Sequence, residues 1–369
     1  MALTIGPLRV DPPVVLAPMA GVTNAAFRSL CRSYGGGLFV SEMIMARALV
    51  EDNARTRRMV AFGADEDVRS VQLCGVDPAV VAAAVRILVG DLEVDHVDLN
   101  FGCPAGKVTR KGGGAALPAH PRLFGSVVSA AVRAAGPVPV TVKMRLGLDD
   151  GHPTAIEAGL AAEAAGAAAV TLHARTAEQL YAGRADWSAI TRLKEAVTSI
   201  PVLGNGDLWE AADATRMTDE TGCDGVVVGR GCLGRPWLFA ELSAAWAGEP
   251  APVQPDLAAV VAVMGRHASG LVEVLGEARA MLDFRKHIGW YLAGFPVGRA
   301  LRSRVGEIVA LDQLAGWLAE VAALGLPAAV VVPRGPVNGP RRVPLPDRWL
   351  ETVDDPAPPS GVEAFASGG

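Results

Sequence analysis

The sequence predicts an α/β fold, a (β/α)8 barrel followed by a smaller α-helical domain and a mobile C-terminal tail. Between Val14 and about Trp246, short runs rich in β-branched residues and leucine alternate with alanine-rich stretches. Polar residues follow nearly every run, and a proline-rich linker, Ala-Gly-Glu-Pro-Ala-Pro, comes after Trp246. Such alternation is typical of βα units that build a parallel sheet.

Eight of these runs are predicted to be strands, which is the number of strands in a (β/α)8 barrel. An open, doubly wound sheet is the alternative, but it usually has about five or six strands and one phosphate loop after the first. Polar residues after almost every run favour the barrel, whose enzymes build their sites from the loops at the carboxyl ends of the strands. The predicted strands are residues 14–17, 38–41, 70–73, 96–99, 138–142, 169–172, 202–203 and 225–228.

The same patterns divide the chain into three segments. Residues 1–248 form the predicted barrel, and residues 249–325 form a helical domain with apolar residues three and four apart. Residues 326–369 are rich in proline and glycine and show little periodicity, so we expect a disordered tail.

Composition limits the classes of protein that the chain can belong to. Of 369 residues, 50% are hydrophobic and 20% are charged, which indicates a globular protein with a sizeable core. The net charge of −5 gives no global basic field, so a nucleic-acid contact would need a local patch.

The five cysteines and the N-terminus predict a cytoplasmic protein. The cysteines are scattered and form no CxxC pair, which suits a reducing compartment and argues against a structural zinc site, and we expect no bound metal. The first residues lack the features of a signal peptide, and no run approaches the roughly 20 apolar residues of a membrane span. We expect no membrane association, a monomer and no obligate protein partner.

Residues able to do chemistry lie at the end of each predicted strand or just after it, and a closed barrel would gather them at one mouth. Any one of them alone is compatible with ordinary loop composition, but their common phase against eight strands favours a site. They are Pro18, Met19, Ala20, Gly21, Glu42, Gln72, Asn100, Cys103, Lys143, Arg145, His173, Arg175, Asn205, Gly206, Asp207, Gly229 and Arg230.

Several of these residues lie in longer motifs. The runs Ala17-Pro-Met-Ala-Gly-Val-Thr-Asn24, Asn100-Phe-Gly-Cys-Pro104 and Val142-Lys-Met-Arg145 resemble signatures of the tRNA-dihydrouridine synthases. His173-Ala-Arg-Thr176, Gly204-Asn-Gly-Asp207 and Gly229-Arg-Gly231 continue the resemblance in the family's order. It covers about residues 10–310 and is closest to the bacterial B-type members, whose helical domain has a run similar to Arg285-Lys-His-Ile-Gly-Trp-Tyr291.

The resemblance implies FMN as the cofactor. Barrels often bind a phosphate after strands seven and eight, where this chain has Asn205-Gly206-Asp207 and Gly229-Arg230. Their glycines let backbone N–H groups approach the phosphate and Arg230 can pair with it, simple turns being the alternative interpretation. The run from Gly229 to Gly234 also matches G-x-G-x-x-G, but it follows the last strand, which argues against a dinucleotide site.

The resemblance also places residues around the flavin ring. Gln72 and Lys143 sit where the family contacts the ring, and a lysine at its edge would stabilise the negative charge of the reduced form. Pro18, Met19 and Ala20 would lie against the ring, and His173 near it.

Cys103 is predicted to be the catalytic acid in the reduction of specific tRNA uridines to 5,6-dihydrouridine. The reaction needs a hydride at C6, from the flavin, and a proton at C5, which a thiol can deliver. NADPH as reductant follows from the resemblance alone. An isolated cysteine is more often a small buried hydrophobe, but the flanking motif reverses that interpretation. We expect no strong depression of the thiol pKa by His173 or Lys143.

A second group of residues is predicted to contact tRNA. Residues 284–305 carry five cations and no acidic residue, although a solvated helix face would also explain that composition. The predicted contacts in this run are Arg285, Lys286 and Tyr291. The resemblance further implies that Asn100, Arg145 and Arg175 point towards the uridine or its phosphate.

Two other functions stay open on the sequence. The first is an FMN-dependent dehydrogenase of the dihydroorotate or dihydropyrimidine type that acts on a free small molecule. Such an enzyme has no use for an arginine-rich helical domain and would survive truncation near residue 250. The second is a flavin-free RNA-binding module on a barrel scaffold, which a yellow purified protein would exclude.

Overall fold

The computed structural model describes residues 2–329 and 339–359, and it confirms the predicted barrel. Eight parallel strands close into a ring in chain order, and the last pairs with the first. Most of the observed strands run one to four residues further towards their carboxyl ends than predicted. The described strands are β1 (Leu3–Ile5), β2 (Leu8–Val10), β3 (Val14–Leu16), β4 (Leu38–Met45), β5 (Ser70–Cys74), β6 (His96–Phe101), β7 (Val140–Arg145), β8 (Ala169–His173), β9 (Val202–Asn205) and β10 (Gly225–Val228).

The hairpin β1–β2 is absent from the sequence prediction. Its strands pair antiparallel, with Leu3 opposite Val10. Ile5 and these two residues pack against the barrel residues Leu38 and Leu203, and so cover the interior at the amino-terminal end of the strands. Three-residue strands are too short to show the alternation by which a strand is detected.

Capping side chains start several of the helices that surround the barrel. The Asp77 carboxylate accepts a hydrogen bond from Ala79 N at 2.8 Å, with Pro78 in the first turn. The helices are α1 (Ala25–Arg32), α2 (Ala46–Val50), α3 (Ala54–Met59), α4 (Pro78–Gly90), α5 (Gly106–Thr109), α6 (Pro121–Ala135), α7 (Ala155–Ala164), α8 (Ser188–Ala196), α9 (Ala211–Thr221), α10 (Leu238–Ala247), α11 (Leu257–Leu275), α12 (Glu277–Tyr291), α13 (Arg299–Ser303) and α14 (Leu311–Ala322), with 3-10 turns at Gly114–Ala119, Arg230–Cys232 and Arg304–Glu307.

The C-terminal helices have a core of their own, docked on α1 of the barrel. Met264 of α11, Phe284 of α12 and Trp317 of α14 are buried together. Ala26 and Leu30 of α1 belong to the same cluster, so the helical domain packs directly beside the barrel mouth. By length and composition alone α11 could cross a membrane, but core helices pass the same test and seven buried residues of α11 belong to this core.

The prediction of a disordered tail is wrong for residues 339–359, where the chain packs on the barrel. Trp349 is only 5% exposed, and its indole Nε1 donates to Ala116 O at 3.0 Å. Burial of one large aromatic side chain contributes roughly 1.5–3 kcal/mol, which composition does not reveal. Residues 330–338 and 360–369, also predicted as tail, lie outside the described residues.

Three buried histidines are held neutral by their surroundings. Burial lowers the pKa of His96, inside the barrel, to about 3. In the helical domain, burial and then the Lys286 charge lower the pKa of His267 to about 3. Burial, His267 and Lys286 together lower the pKa of His287 to about 2. Neither ring nitrogen of His287 has a hydrogen-bond partner within the described part of the chain.

We expect stability to decrease on acidification below about pH 6.5, where these histidines take up protons in the unfolded chain but not in the folded one. Above that pH their contribution is fully present, and it is lost as the pH falls towards 3. His287→Leu should reduce the slope of the free energy of unfolding against pH by up to about 1.4 kcal/mol per pH unit. Urea unfolding of the wild type and of the variant between pH 7 and 4.5 gives this slope for each protein. Equal slopes would contradict the assignment of a lowered pKa to His287.

Candidate active site

A cavity of about 460 Å³ opens at the carboxyl ends of the barrel strands. Its size is within the range of cofactor and small-molecule sites. Four residues with a predicted cofactor or tRNA role, Arg175, Arg285, Lys286 and Tyr291, are not among its lining residues, and neither are Gly21 and Glu42. The predicted residues that line it are Pro18, Met19, Ala20, Gln72, Asn100, Cys103, Lys143, Arg145, His173, Asn205, Gly206, Asp207, Gly229 and Arg230.

The loop of Cys103 is shaped by two neighbouring side chains. Asn100 Oδ1 accepts from Gly102 N at 3.1 Å and from Cys103 N at 2.8 Å. Arg145 Nε donates to Gly102 O at 2.9 Å, and its Nη1 donates to the carbonyls of residues 176 and 180 in a second loop. Asn100 and Arg145, predicted as substrate contacts, thus fix the wall on which the thiol lies.

The thiol of Cys103 is kept protonated by its environment. Burial raises the pKa of Cys103, and the opposing effects of Ala105 N–H, Arg145 and Lys107 are smaller. This agrees with the expectation that neither His173 nor Lys143 depresses it. A protonated thiol facing a cavity can act as an acid, while only the thiolate is a strong nucleophile.

A chain of polar side chains runs from the Cys103 loop into the barrel. Asn100 Nδ2 donates to Gln72 Oε1 at 2.7 Å, and Gln72 Nε2 donates to Asp98 Oδ2 at 2.7 Å. Thr141 donates to the other oxygen of Asp98 at 2.6 Å and bonds to His96 at 2.9 Å. Asp98 was missed, although the strand period of two places it on the same face as Asn100.

Buried charges of both signs meet beneath the cavity. Burial raises the pKa of Asp98 to about 6, and hydrogen bonds from Thr141 and Gln72 oppose that shift. Burial and then Arg145 lower the pKa of Lys143 to about 8, with Asp98 opposing. Lys143 Nζ donates to Asn205 Oδ1 at 3.0 Å. Burial lowers the pKa of His173 well below its ordinary value, so its ring is neutral at pH 7.

The loops after β9 and β10 form the other end of the cavity. Arg175 lies behind them, 1% exposed, and its Nη2 donates to both carboxylate oxygens of Asp207 at 2.7 and 2.8 Å. Its other contacts are the carbonyls of residues 182 and 183, so Arg175 orders a loop and does not reach the cavity. Arg230 lies 3.9 Å from Asp207, and its buried Nη1 has no hydrogen-bond partner among the described residues.

Three aromatic side chains absent from the prediction complete the lining. The guanidinium of Arg230 lies 4.1 Å from the ring centroid of Tyr181 and 5.1 Å from that of Trp209. Trp290 of α12 lines the cavity from the helical domain. Tyr181 and Trp209 lie in loops without periodicity, so only proximity in space reveals them.

Comparison with known proteins identifies the family. The dihydrouridine synthase (Dus) family model matches residues 15–324. The chain belongs to the dihydrouridine synthase family. It is 53% identical over 378 residues to a Mycobacterium tuberculosis protein named probable tRNA-dihydrouridine synthase, covering 100% of this chain and 97% of the relative. It is 38% identical over 309 residues to tRNA-dihydrouridine synthase B of Pseudomonas aeruginosa, covering 84% and 92%.

Solved structures support the fold at low sequence identity. Morphinone reductase in complex with tetrahydroNAD superposes with a TM-score of 0.50 at 14% identity, covering 69% of this chain and 92% of that one. A 2-naphthoyl-CoA reductase gives a TM-score of 0.51 at 12% identity, covering 68% and 52%. Likeness at this level shows a shared barrel and nothing about substrate.

The predicted tRNA contacts of α12 lie in three different environments. Tyr291 is 2% exposed and its hydroxyl lies 3.1 Å from His267 Nδ1, so RNA has no access to it and that prediction is wrong. Arg285 is half-buried and donates to Ile308 O at 3.2 Å. Lys286 donates to Gly21 O and to Asp283, and joins the helical domain to the barrel mouth.

The raised pKa of Cys103 predicts how the rate of its alkylation depends on pH. Because only the thiolate reacts, the rate with iodoacetamide should keep increasing with pH beyond the range in which an unfolded cysteine, of pKa near 8.5, has levelled off. Peptide mass spectrometry gives the alkylation rate of Cys103 at each pH, in the full chain and in a reference peptide that spans residues 98–108. A rate that levels off by pH 8 would mean a depressed pKa and a different role.

Proposed function

We propose that the protein reduces specific uridines of tRNA to 5,6-dihydrouridine, with FMN as cofactor and NADPH as reductant, in the cytoplasm. The observation that carries the proposal is the thiol of Cys103, kept protonated by burial on the wall of a cavity that has the guanidinium of Arg230 at its far end. Membership of the family and the names of the relatives agree with it.

The far end of the cavity fits the phosphate of FMN. Arg230 presents a buried guanidinium nitrogen without a partner among the described residues, which is costly unless an anion completes it. Gly206 has φ +126° and so turns its backbone as few other residues can. The Asp207 carboxylate is engaged by Arg175, which reduces its repulsion of a phosphate.

The near end of the cavity fits a flavin ring. When bound, FMN would supply the hydride for C6 of the uracil ring. Lys143, with a pKa of about 8, is mostly protonated at pH 7 and would stabilise negative charge at the ring edge. Neutral His173 and the amide of Gln72 would provide hydrogen bonds, and residues 18–20 would form one face of the site.

Cys103 would supply the second hydrogen. Its S–H bond breaks as a C–H bond forms at C5, and the resulting thiolate recovers a proton from solvent. The high thiol pKa favours rapid reprotonation at neutral pH. Asn100 and Arg145 would hold the sulfur in place through the backbone of residues 102 and 103.

The helical domain would hold the tRNA while the uridine leaves its stack. Extrusion of a base costs a few kcal/mol, which contacts with the backbone must offset. Arg279 and Arg299 are exposed on this domain and have no ion-pair partner within the described ranges, so both are open to phosphates. Trp290, at the boundary between this domain and the cavity, provides a stacking surface for a base.

Arg230→Met should weaken FMN binding by about 10- to 100-fold, because it removes a charge-assisted contact worth roughly 1.5–3 kcal/mol. Flavin fluorescence during titration of the deflavinated protein gives the dissociation constant. Arg216→Met, an exposed arginine of α9 outside the cavity, is the matched control. Equal affinities of both variants would overturn the phosphate assignment.

Cys103→Ala should reduce dihydrouridine formation by about 100-fold or more, the usual cost of losing a general acid, with FMN content unchanged. Nucleoside mass spectrometry of tRNA from a strain lacking the gene, complemented with each variant, measures it. Cys223→Ala, a buried cysteine outside the cavity, should restore wild-type levels. Unchanged dihydrouridine in every strain, without a redundant synthase, would favour a flavoenzyme acting on a small molecule.

A further inference from the structure

The segment of residues 339–359 contacts the two loops that form the wall around Cys103. It lies beyond residue 324, where the match to the family ends. Pro344 packs against Gly106 of α5, and Arg341 N donates to Glu178 O at 2.9 Å. Residue 106 follows Cys103 in its loop, and residue 178 belongs to the loop that Arg145 fixes. One segment thus spans both.

Trp349 is the anchor of this segment. Its Nε1 donates to Ala116 O at 3.0 Å, and its own carbonyl accepts from His120 Nε2 at 2.7 Å. The two rings stack with centroids 3.6 Å apart. A Cβ on Gly112 would lie 2.6 Å from the indole, so the loop surface is shaped to the ring. One side-chain hydrogen bond, one backbone hydrogen bond and a ring stack thus hold this buried residue.

The anchored turn is joined directly to Cys103. Ala115 N, one residue before the acceptor of the indole, donates to Cys103 O at 3.0 Å. Gly114, with φ +55°, packs its backbone against the Cys103 carbonyl so closely that a side chain would overlap it. Displacement of the 3-10 turn Gly114–Ala119 therefore moves the peptide of Cys103.

From these contacts we propose that residues 339–359 form a strap that positions Cys103 for proton transfer, with Trp349 as its positioning residue. Trp349 touches neither the cavity nor the thiol and acts through Ala116 and His120. The role of the strap in proton transfer rests on the proposed function. Its control of the position of the Cys103 thiol is independent of that function.

The test measures how fast iodoacetamide alkylates Cys103 in the full-length Trp349→Ala protein. With the strap released, the loop should move and the rate should increase by about 10-fold, a shift of about 1 Å being enough to change reactivity strongly. Cys223, buried elsewhere, reports global unfolding in the same sample and should not change. Leu350→Ala, the next residue on the strap and 36% exposed, should react like wild type.

A wild-type alkylation rate for Cys103 in folded Trp349→Ala overturns the proposal. If that variant exposes Cys223 as well, Trp349→Phe decides, because it keeps the stack on His120 and loses only the hydrogen bond to Ala116. A faster reaction at Cys103 alone supports the strap, and a wild-type rate overturns it.

Turnover separates the strap from the proposed function. With tRNA as substrate, Trp349→Ala should lower kcat by about 10-fold or more and leave KM close to wild type, since the strap acts on the acid rather than on tRNA. Altered alkylation without any activity in the wild-type protein would refute the proposed function and keep the positioning of Cys103. Wild-type alkylation with normal turnover would refute the strap alone.

Discussion

The parallel pairing of β3 with β10 is the contact on which the site depends. It joins residues more than 200 positions apart, with Val228 O accepting from Ala17 N at 2.8 Å. Without it the loop of residues 18–20 would not face the loop of residues 229–231, and the cavity would be an open edge. Closing a ring over such a separation costs chain entropy, which the buried layers on both sides of the strands offset.

Within that ring, the polar interior determines how the site is charged. A carboxylate, an ammonium and a guanidinium are buried within one region, and each is acceptable because hydrogen bonds satisfy it. Asp98 and Lys143 oppose each other's shifts, and Arg145 lowers the pKa of both Lys143 and His173. The arrangement keeps the His173 ring neutral and the Cys103 thiol protonated at the same pH. The site therefore has a neutral imidazole for hydrogen bonding and a thiol that can donate a proton.

Much of this was predictable because parallel strands place their ends together. The predicted strands at 70–73, 138–142 and 202–203 have Gln72, Lys143 and Asn205 at or just after their ends, which predicts one site, and all three residues line the cavity. The direction of side chains on α12 is not predictable in this way, because composition does not fix how a helix is rotated about its axis: the sequence predicts Tyr291 as a contact, while its neighbour Trp290 faces the cavity. The sequence does not predict the anchoring role of Trp349, because a single aromatic residue in a proline-rich segment forms no periodic pattern. The surface that it packs against also lies far away in the sequence.

The glycine at position 234 shows how closely the two domains are fitted together. It adopts φ +69°, and the backbone of Trp290 approaches it so closely that any side chain would overlap the peptide. The helical domain is therefore not an independent module that evolution or an engineer can exchange at the linker. A chimera that takes its C-terminal helices from another member of the family must also take the matching loop after β10. Without that loop the helical domain and the barrel would not pack together.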